Sequence, residues 1–160
     1  MMFSDFVVAE AIQVDLTSTD KESVLRELIG GLVTAGHIPA DRAESVCLTV
    51  LERENLGSTG IGRGVAVPHA KHSSVVRPVG TVGVSRGGVD FAALDGDKVH
   101  LFFILVSPPE RSADHLAVLE YCSRQLRQDL FCKLLKQAKT AREIWQILEE
   151  VDETEGRAFA

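Results

Sequence analysis

The sequence lacks the cysteine pairs that would staple or metallate a small protein. Its three cysteines, Cys47, Cys122 and Cys132, are odd in number and far apart, and no Cys-x-x-Cys occurs. That excludes a disulfide framework and a thiolate metal site, and each thiol, set in helical-looking sequence, reads as a buried small hydrophobe. Long apolar runs are missing too. The longest, Leu101 to Val106, falls well short of the roughly 20 residues that cross a bilayer. Met1 to Leu16 holds acidic residues and no lysine or arginine, so it is not a signal-peptide n-region. A cytoplasmic protein without direct membrane insertion is expected. Positive charge is also in deficit: the net charge of −6 argues against a nucleic-acid partner. No internal repeat, low-complexity tract or linker interrupts the chain.

What is present suits a soluble globular chain. With 160 residues, 45% of them hydrophobic and 25% charged, one domain over residues 1–160 is expected. Its core spans about residues 5–150, and a polar tail over 152–160 is expected to fray. Val7 to Leu16 is predicted to open the chain as one strand or two short ones, with Ile12, Val14 and Leu16 alternating. Thr19 to Glu22 spells a capping box, followed by Val24, Leu25, Leu28, Ile29, Leu32 and Val33 at helical spacing and stopped by Gly36. Pro39 opens a second helix that ends near Arg53. Strands are predicted over Val65 to Val67, Gly80 to Ser85, Val89 to Phe91 and Val99 to Val106, with turns at Gly87-Gly88 and Asp95-Gly96. The continuous apolar run of the last strand fits a central position covered on both faces. Three helices follow: one starting near Ser112 with Leu116, Leu119, Cys122 and Leu126 inward, one over Asp129 to Gln137, and one led by the capping box Thr140 to Glu143. Helices before and after a group of strands predict an α/β three-layer sandwich around a mixed, parallel and antiparallel sheet.

The chemistry concentrates in Arg53 to His69. There a hydroxyl pair, Ser58 and Thr59, sits in a glycine-rich bend, a short β-branched strand follows, and His69 stands behind Pro68. Glycines let backbone amides approach a ligand, and the hydroxyls can donate to phosphate oxygens. A neutral imidazole can attack phosphorus, since its unperturbed pKa of about 6.5 leaves it mostly unprotonated at neutral pH. A histidine ending an apolar strand is more often structural than functional; the proline and the preceding bend favour the functional reading here. Arg53 is the candidate clamp, because a planar guanidinium binds two phosphate oxygens at once; a helix C-terminal arginine serving the dipole is the plainer alternative. His115, in the first turn of a predicted helix, is a candidate neutral donor, or a solvated first-turn histidine. His37, His72 and His100 look ordinary, His72 as an exposed turn residue. Between Arg53 and Arg86 five cations face Glu54 alone, a local basic segment in an acidic protein, suited to an anion or an acidic partner or merely solvated.

Two sharper motifs fail. Thr59 to Gly64 only superficially matches a dinucleotide fingerprint, which needs a strand before and a helix after; here the order is reversed. No Gly-Lys-Ser/Thr phosphate loop occurs. His69, His72 and His115 lack a carboxylate or cysteine at ligand spacing, so no metal is expected.

The run Arg53-Glu54, Gly57-Ser58-Thr59-Gly60-Ile61-Gly62, Gly64-Val65-Ala66-Val67-Pro68-His69 resembles the signature of the fructose/mannitol-type enzyme IIA domains of the bacterial phosphoenolpyruvate:sugar phosphotransferase system. Asp114-His115-Leu116 is similar to that family's second histidine at its helix start, and the pattern runs from about Asp5 to Glu150. The resemblance implies the mannitol-type IIA fold, no cofactor, and a phosphohistidine carrier. His69 would accept phosphate on Nε2 from a histidine-containing phosphocarrier protein, with His115 and Arg53 lining the site. A chain of this length resembles the nitrogen-regulatory branch, whose output is contact with a regulated target protein. The alternatives are a sugar-specific IIA passing phosphate to a IIB domain, and a purely protein-binding module. Pro108 to Ser112 and the extra positive charge of Lys71 and His72 depart from the expected pattern and bear on which partner docks.

Overall fold

In the computed structural model, which describes residues 1–158, a mixed sheet lies between two layers of helices. The elements are α1 Phe3–Phe6, α2 Lys21–Thr34, α3 Ala43–Leu56, β1 Gly60–Gly62, β2 Val65–Ala66, β3 His69–Lys71, β4 Val79–Val89, β5 Val99–Ser107, α4 Ser112–Leu126, α5 Asp129–Gln137 and α6 Ala141–Ala158. Strand β5 is the axis. One of its edges carries β4 antiparallel; the other carries β2 and then β3, both parallel and in one unbroken register, Val65 opposite Leu101 and His69 opposite Leu105. Its side chains alternate between two cores. Phe102, Ile104 and Val106 face α2 and α3, while Leu101, Phe103 and Leu105 face α1, α4, α5 and α6. Both faces are covered, which explains the uninterrupted apolar sequence. The three cysteines are free and buried, as expected, and burial raises each thiol's pKa.

Helix α2 shows how local sequence sets the boundaries. Asp20 is its N-cap, accepting from the Ser23 amide at 2.9 Å, so the cap lies one residue beyond the Thr19 predicted from the box pattern. Gly36, at φ 82°, ends it: the Gly36 amide returns to Val33 and the His37 amide to Leu32, a Schellman pair that needs the left-handed conformation. The second box is half as expected. Thr140 Oγ1 accepts from the Glu143 amide, but Glu143 reaches back to Lys139.

Several expectations are corrected. The N-terminal alternation forms no strand. Phe3 to Phe6 and Ala9 to Ala11 coil into short helical turns, and only isolated bridges, Val7 to Gly80 and Gln13 to Gly83, meet the edge of β4. The reason is aromatic burial: Phe3 packs against Phe103, Tyr121 and Phe131 at 5.4, 4.8 and 5.6 Å between ring centroids, which a straight edge strand would not permit. Gly87-Gly88 is no turn. It lies inside β4 as an irregularity of register, with Gly88 at φ 81°. Leu116 is 66% exposed and Leu119 half-buried, because α4 is rotated to turn His115, Val118, Tyr121 and Cys122 inward. His72 is buried, not exposed.

The expected frayed tail is helical from Asp152 through Ala158, and residues 159–160 lie outside the described residues. Asp152 is buried and accepts from the Phe3 and Ser4 amides at 3.0 and 2.7 Å and from Tyr121 Oη at 2.7 Å. One carboxylate thereby caps α1 and ties it to α4 and α6. Asp152→Asn puts an NH2 group against one of those donors, and an unfolding midpoint in urea should report a loss of about 1–2 kcal/mol.

Candidate functional site

His69 owes its position to an interruption. Strands β2 and β3 would be one strand but for Val67 and Pro68. Pro68 has no amide to donate to the ladder, although its carbonyl still accepts from Leu105 at 2.9 Å. Freed from the sheet, the Val67 carbonyl meets His69 Nδ1 at 2.7 Å. His69 therefore opens β3; it does not close the preceding strand as the sequence suggested. Its register opposite Leu105 directs it to the face covered by α4. Strand β5 ends at Ser107, and a short turn from Pro109 to Arg111 leads into α4, whose first turn sets His115 beside His69. The rings lie 5.6 Å apart between centroids at 60°. Helix α3 ends from the opposite layer with Arg53 in its last turn. Together these residues line an open hollow of about 450 Å³, with Lys71 and the apolar side chains of Leu56, Leu116 and Leu119 at its margin. It sits at the carboxyl ends of parallel strands, where open α/β sheets commonly bind ligands.

Hydrogen bonding sets the tautomer of His69. A carbonyl oxygen only accepts, so His69 Nδ1 carries the proton and Nε2 is left with a lone pair. Among the described residues, Ser74 Oγ is the only buried side-chain polar atom without a partner, and neither ring's Nε2 has one. Both Nε2 atoms are thus open to the hollow. Burial lowers the His69 pKa from its ordinary value; the Val67 carbonyl opposes this, Arg53 adds to it and Glu54 opposes. His115 is pushed down to about 4 by burial, by His69 and by Lys71. Two neutral imidazoles at neutral pH result.

Ser58 and Thr59 are not brought into this hollow. Ser58 Oγ donates to the Phe91 carbonyl at 2.8 Å and accepts from the Gly60 amide at 3.0 Å. Thr59 is buried, with its hydroxyl and amide on the carboxylate of Glu54. Their work is to fasten the glycine bend. Gly60 is needed there because a Cβ would lie 2.8 Å from that of Ala93. Glu54, which the sequence presented as the one acidic residue in a basic segment and as part of the Arg53-Glu54 signature but with no role of its own, is 4% exposed and also binds Lys21 at 3.0 Å. It anchors the end of α3 next to Arg53.

The five cations of that segment divide. Arg63 takes the Leu126 and Arg127 carbonyls and Asp129, Arg86 takes the Lys136 and Ala138 carbonyls, and Arg77 takes the Asp5 carbonyl. Arg53 and Lys71 remain at the hollow. Arg53 donates to the Gly57 carbonyl at 2.9 Å and Lys71 to Ser112 Oγ at 3.0 Å. His72, the third imidazole weighed for a metal, is turned to Ser45 Oγ at 2.8 Å and accepts from the Ser74 amide at 3.0 Å. Sequence reasoning missed Ser107, whose buried hydroxyl lies 2.7 Å from His115 Nδ1; a serine ending the central strand eight residues before a histidine was its only signal.

Residues 5–151 match the family described as phosphoenolpyruvate-dependent sugar phosphotransferase system, EIIA 2. The chain is 33% identical over 152 residues to the fructose-specific EIIABC component of Bacillus subtilis, covering 95% of the chain but about a quarter (24%) of that protein's length. It is also 33% identical over 148 residues to the nitrogen regulatory protein of Bradyrhizobium diazoefficiens, covering 92% of the chain and 95% of the relative. The crystal structure of nitrogen regulatory protein IIA-Ntr from Neisseria meningitidis superposes with a TM-score of 0.82 at 30% identity, over 91% of this chain and 98% of that one. IIA mannitol from Escherichia coli shares the fold, with a TM-score of 0.71 at 22% identity over 88% and 97% of the two chains. A match over residues 5–151, on a mixed sheet that sets two neutral imidazoles beside an arginine, puts this chain in the EIIA 2 family of the phosphotransferase system.

Proposed function

We propose that the chain is a phosphohistidine carrier that takes a phosphoryl group on His69 Nε2 from a histidine-containing phosphocarrier protein. The observation that carries this reading is the 2.7 Å contact of His69 Nδ1 with the Val67 carbonyl, which leaves the Nε2 lone pair facing the hollow. That lone pair forms the new N–P bond as the bond to the donor's imidazole breaks. The proton stays on Nδ1, and its hydrogen bond strengthens as positive character builds on the ring. Phosphoryl transfer is mainly positioning and charge neutralisation. Arg53 supplies the guanidinium, Lys71 a second cation, and His115 a neutral N–H donor. Ser58 and Thr59 act behind the site by holding its glycine bend. No organic cofactor or metal takes part, and the chain works in the cytoplasm, a reading supported by the lack of any helix among the described residues able to cross a membrane.

The output is regulatory: phosphate at His69 switches contact with a target protein. Adding about −1.5 to −2 charges between Arg53 and Lys71 cancels most or all of their positive charge, with exposed Leu56 and Leu116 as the apolar margin of the docking face. Relatives called nitrogen regulatory protein, matched over nearly their whole length, support this. Transfer to a IIB domain for sugar uptake is the second reading, supported by the fructose-specific relative. Incubation with phosphoenolpyruvate, the general upstream proteins and a purified IIB domain decides between them: rapid phosphate loss to IIB favours uptake. Phosphorylation-dependent binding of a target without such loss favours regulation. Arg53→Lys keeps the charge but loses the two-pronged guanidinium, and the rate of labelling from the phosphocarrier should fall on the order of tenfold to a hundredfold.

A further inference from the structure

We propose that Ser107 is a positioning residue that fixes His115 as the Nε2–H tautomer and so makes its outward nitrogen a donor. This rests on the carrier reading above. Ser107 is fully buried at the last position of β5, and its carbonyl is already engaged by the His72 amide at 2.8 Å. Its hydroxyl has one partner, His115 Nδ1 at 2.7 Å.

Two assignments fit that distance. If His115 Nδ1 donated, the hydroxyl proton of Ser107 would be left fully buried with no other acceptor in reach, and a buried unpaired donor is strongly disfavoured. If Ser107 donates, its proton is satisfied and only lone pairs go unused. The second assignment is therefore the stable one. It requires Nδ1 to be unprotonated, and a neutral imidazole then carries its proton on Nε2. Burial, the neighbouring His69 and Lys71, which donates to Ser112 in the first turn of α4, all oppose a doubly protonated ring.

The two histidines are thus set to opposite tautomeric roles by two groups behind them. The Val67 carbonyl accepts from His69 and leaves a lone pair on its Nε2; the Ser107 hydroxyl donates to His115 and leaves a proton on its Nε2. Across a 5.6 Å ring separation, the first attacks phosphorus while the second donates to a phosphoryl oxygen. In the other tautomer His115 would offer that oxygen a lone pair and repel it.

The test is a long-range proton–nitrogen spectrum of the unphosphorylated, nitrogen-15-labelled chain near pH 7, with labelling rates measured separately. In the wild type, His115 should show the shifts of a protonated Nε2 and a bare Nδ1. Ser107→Ala should mix the tautomers and slow labelling of His69 about three- to tenfold, the equivalent of one hydrogen bond. Ser107→Thr, which keeps the hydroxyl, should restore both. A protonated Nδ1 on His115 in the wild type overturns the assignment even if the alanine variant fails to fold. An unchanged spectrum in Ser107→Ala overturns it too. A wild-type chain that accepts no phosphate defeats the carrier reading instead, a result independent of the spectrum.

Discussion

His69→Ala is expected to abolish labelling of the chain by phosphoenolpyruvate and the general upstream proteins, whereas the wild type acquires an acid-labile, base-stable phosphate. The loss should be complete because nothing else at the hollow can substitute. His115 keeps its Nδ1 on Ser107, and its Nε2 is the donor nitrogen. His72, three residues on, is a built-in control. Both its nitrogens are occupied, by Ser45 and by the Ser74 amide, on the side of the sheet toward α3, so His72→Gln should label at the wild-type rate. Equal labelling of His69→Ala and wild type would remove the carrier reading at its root. His115→Ala should still label, but more slowly, since it loses a donor to a phosphoryl oxygen and keeps the nucleophile.

What the sequence disclosed and what it concealed follow a physical pattern. Strand β5, helix α5 and the stop of α2 were legible because each rests on a local rule: an unbroken apolar run, a helical repeat, a glycine at positive φ. The N-terminus was not. Ile12, Val14 and Leu16 alternate as a strand would, but the burial of Phe3 and Phe6 among aromatics from α4, α5 and β5 sets the path of that segment. Tertiary packing also turned α4, because Leu116 and Leu119 satisfy the helical repeat with Cys122 and Leu126 as well as Val118 and Tyr121 do, and only the sheet beneath chooses between the two faces. Arg53, His69 and His115, which the fold brings to one hollow, were singled out from residue chemistry. The groups that orient them were hidden: a backbone carbonyl at Val67, a hydroxyl at Ser107 and a buried carboxylate at Glu54 have no side-chain signature until the fold closes over them. Ser58 and Thr59 illustrate the converse. Their hydroxyls suit an anion by type, but the nearer acceptors, the Phe91 carbonyl and Glu54, claim them.

Burying two neutral imidazoles makes the fold sensitive to acid, and His115 should dominate that sensitivity. Its folded pKa is depressed to about 4, against about 6.5 for the unfolded chain. In that window the unfolded state binds a proton that the folded state refuses, so stability is full above pH 6.5 and falls as the pH drops toward 4. The depression corresponds to about 3 kcal/mol in all, of which about 2 kcal/mol is lost by pH 5. His69 and His72, depressed in the same direction, add to the slope. The lowered carboxylates, Glu27 among them, lose their contribution at lower pH, starting in the ordinary carboxylate range and continuing below it. Urea midpoints for wild type and His115→Gln between pH 7 and pH 5 isolate the effect. The wild-type curve should fall by about 2 kcal/mol more than that of the variant, because glutamine has no proton to take up. Parallel curves would mean that the folded ring binds a proton as readily as the unfolded one, and would remove His115 as the source of the acid sensitivity.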